Sequence, residues 1–298
     1  MLSKPVSNDS FKVSVIIPVH NNSHTLARAV RSALRQTIKP ELIIIDDAST
    51  DGSSDLIRKW DRKDNVKTIT NAHNLGPGPS RNLGIESASG EFVAFLDADD
   101  FYPDKNSLRS MYELAQSECV DICGSRRQFR IGYRKFDNEL FRDGCKLHPE
   151  GFTEDFSENQ WEYDFTNYIY RRSFLKEDGV EFPSLKRYQD VVFQVKAMSL
   201  ARTFAVANVV GYCFTMQKKH QEPFSGLESI DILRGMRTVL DISEKEGYDL
   251  LIARTGQRLK EEYLPRIPKD VQEEPEIQSC IDEIIGYADH HPTAFSND

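Results

Sequence analysis

In the N-terminal third of the chain, three apolar, β-branched runs each end in a polar cluster. Val13-Ser14-Val15-Ile16-Ile17 leads into Pro18-Val19-His20-Asn21-Asn22. Glu41-Leu42-Ile43-Ile44-Ile45 leads into Asp46-Asp47-Ala48-Ser49-Thr50-Asp51-Gly52. Phe92-Val93-Ala94-Phe95-Leu96 leads into Asp97-Ala98-Asp99-Asp100. Helical patterns lie between them. Near-continuous apolar strands alternating with helices predict a parallel sheet covered on both faces. Such sheets bind ligands at the carboxyl ends of their strands, so all three polar clusters are expected on one rim.

The intervening periodicities place the helices. Leu26, Ala29, Val30, Ala33 and Leu34 form an apolar face, with Ser23 as candidate cap and Lys39-Pro40 as the stop. A second helix is expected over Ser54 to Lys63, with Leu56, Ile57 and Trp60 inward, then a short strand over Val66 to Ile69. The Gly-Pro alternation from Asn74 to Pro79 predicts a tight loop and a helix running to about Ser89. Ser80, Arg81 and Asn82 would occupy its first turn, where helix N-termini attract phosphate. An ordinary loop with an exposed Arg is the equal alternative.

Past the acidic cluster, Leu108, Met111, Tyr112 and Ala115 mark a helix, and Ile122-Cys123-Gly124 a short strand. The basic, aromatic stretch 126–136 reads as strand or loop. Residues 145–161 lack periodicity and read as a loop over a site. Val191, Val192, Val195 and Met198 form a helix after Gln189-Asp190. Phe204–Ala207 and Val209–Phe214 read as two late strands. After Ser225 the pattern is helical and acidic. These stripes are expected to pack on the domain, with a dimer contact as the alternative.

Composition narrows the classes. The chain has 298 residues, 39% hydrophobic and 29% charged, as in a soluble globular protein. A formal net charge of −9 argues against nucleic acid as a partner. Met1 to Ser10 lacks an apolar leader core, and no run reaches the length of a membrane span. Cys119, Cys123, Cys145, Cys213 and Cys280 are odd in number and scattered, which fits reduced thiols in a cytoplasmic protein. The acidic cluster carries the sharpest chemistry. Carboxylates held together repel one another, and a hard divalent cation, Mg²⁺ or Mn²⁺, relieves that cost while bridging to substrate phosphates. A solvated acidic turn would be the better reading if the cluster stood alone.

Val13 to Asn22, Ile45 to Gly52, Asn74 to Gly84 and Gly90 to Asp100, in this order and spacing, resemble the family 2 glycosyltransferases. A looser likeness continues through Tyr170-Arg171-Arg172 and the Gln189-Asp190 helix to about His220. The resemblance implies an α/β, GT-A-type (Rossmann-like), mainly parallel sheet flanked by helices, with a C-terminal helical extension. It implies an N-terminal tail (1–11), a nucleotide-sugar-binding half (12–124), an acceptor-binding half (125–224) and the extension (225–298).

The residue roles follow from the same likeness. Pro18, His20 and Asn21 would pack around base and ribose, and Asp47 would recognise a uracil ring. Arg81 would lie near the diphosphate. Asp97-Ala98-Asp99 matches the DXD motif, with Asp97 near the ribose or sugar and Asp99 on Mn²⁺ or Mg²⁺. Asp190 matches the catalytic base, beside Gln189 where Glu is commoner. His20 likewise stands where Tyr or Phe is frequent. His220 is a candidate third metal ligand, and Lys219 a phosphate contact. The implied reaction is inverting transfer from a nucleotide-sugar, a UDP-sugar by the family's habit, to a glycan, lipid-linked or other hydroxyl acceptor in polysaccharide or glycoconjugate biosynthesis. Peripheral contact with the inner face of the membrane and a homo-oligomer are further expectations. Two alternatives stand beside it. A sugar nucleotidyltransferase needs a Gly-rich basic loop where Pro18 to Asn22 stands. A non-catalytic sugar-nucleotide-binding or assembly protein is kept open by Gln189.

Overall fold

The computed structural model describes residues 11–131, 134–137, 151–162, 164–216 and 222–291. Its strands are β1 (Val13–Val19), β2 (Glu41–Asp46), β3 (Val66–Thr70), β4 (Phe92–Phe95), β5 (Ile122–Ile131), β6 (Arg134–Asp137), β7 (Phe152–Asp155), β8 (Tyr168–Arg171) and β9 (Thr203–Met216). They form one sheet in the order β3-β2-β1-β4-β8-β5-β9-β7, with β6 beside β5. The first four of these, β3 to β4, are parallel. The direction reverses at β8, which runs antiparallel to both β4 and β5, and β5 and β9 are again parallel.

Alternation along β1 divides the core. Val13, Val15 and Ile17 face one layer, together with Leu42, Ile44 and Ala94. There they meet Leu26, Ala29, Val30 and Ala33 of α1 (Leu26–Leu34), Ile57 of α2 (Ser53–Arg58) and Leu108, Met111 and Ala115 of α4 (Ser107–Ser117). Ile16, Ile43, Ile45, Val93 and Phe95 face the other layer. That layer holds Ile85 of α3 (Pro77–Ser87) and the apolar side of α7 (Gln189–Ala201). Both faces of the sheet are therefore buried, as the near-continuous apolar runs require.

Several boundaries differ from expectation. Ser23 does not cap α1. The N-cap is Thr25, without a side-chain cap bond, and the Ser23 amide donates instead to Asp51 Oδ2 at 2.9 Å. The second helix stops at Arg58, and hydrogen-bonded turns at Trp60 and Lys63 replace its expected last turns. The two late strands are one, β9, whose register shifts against β5 around Ser125, Arg126 and Arg127. Ile122 to Gly124 is likewise only the start of the ten-residue β5.

The expected loop over the site is the largest correction. Its described part is β7 followed by α5 (Phe156–Asn159). β7 pairs with Thr203 to Val206 at the start of β9, on the rim opposite the acidic clusters. It packs towards the C-terminal helices, because Gln160 Oε1 accepts from the Leu251 amide at 2.9 Å. The rest of that segment, with Cys145, lies outside the described residues.

The remaining helices are α6 (Arg172–Glu177), α8 (Gly226–Glu246), α9 (Asp249–Arg258), α10 (Lys269–Gln272) and α11 (Pro275–His290). A capping box between Ser225 and Glu228 opens α8. Ile232, Leu233, Met236, Val239 and Leu240 of α8 join the core built on α7, so this stripe serves packing. No helix among the described residues is long and apolar enough to cross a membrane.

Helix α3 lies close on β1, and glycine permits it. A Cβ on Gly84 would stand 2.4 Å from Ile16 Cγ2. Gly84→Ala is expected to lower stability by about 1–3 kcal/mol in urea unfolding, whereas Gly286→Ala, where space is open, should be neutral or slightly stabilising.

Candidate active site

The carboxyl ends of β1, β2 and β4 open into a cavity of about 260 Å³. β1 contributes Pro18 and Val19, the turn after it His20 and Asn22, and the turn after β2 contributes Asp47. The turn after β4 contributes Asp97, Ala98 and Asp99. The Gly-Pro loop adds Asn74, Gly76 and Pro77, and the first turn of α3 adds Arg81.

Hydrogen bonds between neighbouring strand ends fix these loops. His20 Nδ1 lies 2.8 Å from the Asp47 carbonyl oxygen. Asn21 adopts a left-handed backbone at φ 55°, and its side-chain carbonyl accepts from the Thr50 amide at 2.8 Å. Asn21 thus braces the cavity from behind rather than lining it. Asp47 organises the Gly-Pro loop. Its Oδ1 accepts from Asn71 Nδ2 at 2.7 Å and the Leu75 amide at 2.9 Å, and its Oδ2 accepts from the Gly76 amide at 2.8 Å. Ser80 and Asn82 serve the scaffold. The Ser80 hydroxyl accepts from Asn71 Nδ2, and Asn82 ties to both backbone groups of Phe182.

The acidic turn splits its carboxylates by role. Asp100 points inward, where its Oδ2 accepts from the Tyr212 hydroxyl at 2.7 Å and its Oδ1 from the Thr215 amide at 2.6 Å. Burial, with the nearby Asp97 charge, pushes the Asp100 carboxyl up to about 7 against those hydrogen bonds. Asp97 and Asp99 face the cavity. Asp97 Oδ1 accepts from Arg81 Nη2 at 2.6 Å. Arg81 is only 5% exposed, and its guanidinium lies 4.7 Å from the Phe165 ring centroid and 5.4 Å from that of Phe182. Its Nε and Nη1 have no hydrogen-bond partner among the described residues.

Asp190 enters from α7. Tyr188 precedes that helix at φ 67°, and Asp190 lies in the first turn. Gly78 brings α3 close to the segment before α7, where a Cβ would stand 3.3 Å from the Pro183 carbonyl oxygen. Burial raises the Asp190 carboxyl above the usual carboxylate range. The Arg81 charge opposes that shift and the Asp97 charge reinforces it. The Arg81 charge therefore acts on two acids from distant parts of the chain, on Asp97 through a direct ion pair and on Asp190 through its field. Gln189 is buried, and its Oε1 has no partner among the described residues.

Among the described residues, no group of three or more His, Cys, Asp or Glu side chains forms a ready metal cage. Asp97 and Asp99 still fit a hard cation, because Mg²⁺-type sites use one or two carboxylates and complete their shell with water and substrate phosphates. His220 and Lys219 lie outside the described residues. Sequence reading singled out Pro18, His20, Asp47, Arg81, Asp97, Ala98 and Asp99 together, and the structure brings them to one cavity. It missed Asn22, where it named the neighbouring Asn21, and Asn74, Gly76 and Pro77 as lining residues, although the Gly-Pro alternation was the available signal for the last three.

A sheet of this topology with an acidic turn at its switch point defines a doubly wound α/β fold, the kind that binds ligands at its strand ends. Residues 14–179, more than half of the chain, match glycosyl transferase family 2, and the chain belongs to that family. It is 28% identical over 214 residues to a poly(ribitol-phosphate) beta-glucosyltransferase of Bacillus spizizenii, covering 70% of this chain and 32% of that protein. The structure of S. aureus TarS 1–349 in complex with UDP-GlcNAc superposes with a TM-score of 0.71 at 21% identity, over 94% of this chain and 82% of that one. The mannosyltransferase PcManGT from Pyrobaculum calidifontis, in complex with GDP-Man and Mn²⁺, gives a TM-score of 0.58 at 14% identity, over 93% of this chain and 86% of that one. These likenesses show the GT-A fold. The chain spans 57%, 32% and 18% of three of the curated relatives it matches.

Removing the Asp47 carboxylate strands the Leu75 amide, while the Gly76 amide keeps Asn74 Oδ1 and Asn71 Nδ2 keeps the Ser80 hydroxyl. Asp47→Ala is expected to cost about 1–3 kcal/mol and to lower hydrogen-exchange protection most at the Leu75 amide.

Proposed function

We propose that this chain transfers a sugar from a nucleotide-sugar, a UDP-sugar in the first instance, to an acceptor hydroxyl with inversion at the anomeric carbon. The observation that carries this reading is the strand-end cavity where Asp97 and Asp99 face the same space as Pro18, His20 and Arg81, with Asp97 paired to Arg81 and the charges of both felt by Asp190 from the start of α7. The neighbours solved with UDP-GlcNAc and with GDP-Man and Mn²⁺ support the donor class and the cation.

In this reading Pro18, His20 and Asp47 hold the nucleoside, with Asn21 bracing their loops. Asp97 orients the ribose or sugar, with the Ala98 backbone beside it. Asp99 holds Mn²⁺ or Mg²⁺ with help from the donor diphosphate, and a bound cation would offset charge on the departing nucleotide. Arg81 fixes Asp97 through its 2.6 Å bond and keeps two N–H groups for the site. The acceptor hydroxyl is a weak nucleophile, and Asp190 takes its proton as the new glycosidic bond forms. The bond from the anomeric carbon to the diphosphate oxygen breaks on the opposite side, and UDP leaves with that electron pair. A single displacement of this kind inverts the centre. Residues 12–124 would then bind the donor and 125–224 the acceptor, in glycan or glycoconjugate synthesis.

Asp190→Asn should lower kcat by about 10²- to 10⁴-fold while leaving UDP affinity unchanged. Full activity in that variant, or a product that keeps the donor's anomeric configuration by NMR, contradicts the proposal. Because Asp190 is held above the usual range, the acid limb of kcat/KM should fall above the ~3.9 of an exposed aspartate. Activity is lost as pH drops through that limb, since the base must be ionised. Donor binding with no turnover on any acceptor would leave the non-catalytic reading.

A further inference from the structure

Three consecutive residues just before α7 are each held by α8. The Lys186 amide donates to Asp231 Oδ2 at 2.9 Å, and Arg187 Nε donates to Glu228 Oε1 at 2.8 Å. The Tyr188 ring lies against Gly235, where a Cβ would stand 2.8 Å from Tyr188 Cδ1. Glu228, Asp231 and Gly235 follow one another at helical spacing, so a single face of α8 makes all three contacts. The Tyr263 ring, beyond α9, meets the Tyr188 ring edge-on with centroids 5.7 Å apart. The extension is itself seated on the domain by a buried ion pair, in which Arg258 of α9 lies 2.9 Å from Glu162.

This grip falls on a constrained piece of backbone. Tyr188 has φ 67° and is the residue from which α7 starts. A bulky side chain disfavours the left-handed region, and such a conformation persists only where the surroundings over-determine it. The Tyr188 side chain is buried, and its hydroxyl has no hydrogen-bond partner among the described residues. The ring, and not the hydroxyl, is therefore what the extension holds. The Tyr188 carbonyl accepts from the Val192 amide at 3.2 Å, in the first helical turn, which also carries Asp190. The conformation at Tyr188 thus sets where that turn begins, and Asp190 follows two residues later. Core packing alone is served by the apolar stripe of α8, through Ile232, Leu233, Met236, Val239 and Leu240. The three contacts with residues 186–188 are additional to it.

We propose that α8 is a positioning element of the active site. By clamping Lys186, Arg187 and Tyr188 it fixes the start of α7, and with it the placement of Asp190, with Tyr188 and Gly235 as the positioning residues. The inference rests on the reading of Asp190 as the base for its effect on turnover, but not for the clamp itself.

The test uses the full chain, with turnover of a UDP-sugar measured below the melting temperature of every variant and UDP affinity measured by calorimetry. Gly235→Ala and Tyr188→Ala should each lower kcat by about tenfold or more, while UDP affinity and donor KM stay at wild-type values. Tyr188→Phe keeps the ring and should keep wild-type kcat. Ile284→Ala opens a cavity in α11 of the same extension, and should lower the melting temperature yet leave kcat unchanged. Hydrogen exchange at the Val192 amide should quicken relative to the rest of α7 in Gly235→Ala and Tyr188→Ala, but not in Ile284→Ala. Wild-type kcat and Val192 exchange in Gly235→Ala and Tyr188→Ala overturn the proposal. An equal loss of kcat in Ile284→Ala also overturns it, because the extension would then act through stability alone. If the two ring-contact variants do not fold, Arg187→Ala/Asp231→Ala decides. Slower turnover with faster Val192 exchange supports the clamp, and wild-type values for both overturn it. A wild type that turns over no nucleotide-sugar sinks the glycosyltransferase reading alone. Val192 exchange in Gly235→Ala then still upholds the clamp if it quickens and overturns it if it does not.

Discussion

The buried Arg81 guanidinium carries a positive charge into a rim built of carboxylates, and the arrangement of that rim follows from it. A buried cation without a partner is strongly destabilising, so the Asp97 pair must persist whenever the fold does. The Phe165 and Phe182 rings flank Arg81 and come from segments well beyond the first three strands. Holding one cation therefore brings the turn after β4, the start of α3 and the segments carrying Phe165 and Phe182 to one place. The other acids are settled locally. Asp47 is satisfied by the Gly-Pro loop, and Asp100 by Tyr212 and Thr215. In the proposed reading, Asp97, Asp99 and Asp190 are the acids that serve the chemistry.

The same network links distant strands. Asp100 ties the acidic turn to the end of β9, and Arg28 reaches from α1 to both the Asp99 carbonyl and Thr215. One short turn is thus gripped from three elements. A motif whose backbone is held this way can present two carboxylates to a ligand with little reorganisation, which is what electrostatic preorganisation requires. The C-terminal helices add depth to the layer behind α7, and their apolar stripes continue the same core.

Much of this was legible in the sequence, and the reasons are specific. Apolar runs such as Leu42 to Ile45, buried on both faces, announce themselves by composition alone, and their polar ends marked the rim. The late strand was read as two because exposed Asn208 breaks the apolar run, and periodicity does not reveal that β9 passes through an irregular register. Residues 151–161 read as a site loop because β7 is a short edge strand with half its residues exposed. Its location depends on pairing with β9 across the chain. Arg81 was expected beside a diphosphate, whereas its first partner is Asp97. Sequence spacing gives the turn of helix, but not which acid from another strand it meets. The burial of Asp100 was also hidden, since adjacent Asp residues look alike until Tyr212 and Thr215 are placed.

Asp97 and Asp99 face the cavity, and in the proposed reading Asp99 holds a divalent cation together with the donor diphosphate while Asp97 orients the donor. Calorimetric titration of UDP into the protein, with and without Mn²⁺, tests it most directly. Binding that requires Mn²⁺ and disappears in Asp99→Asn is the predicted result. Equal UDP affinity with and without the cation, untouched by Asp99→Asn, would contradict it.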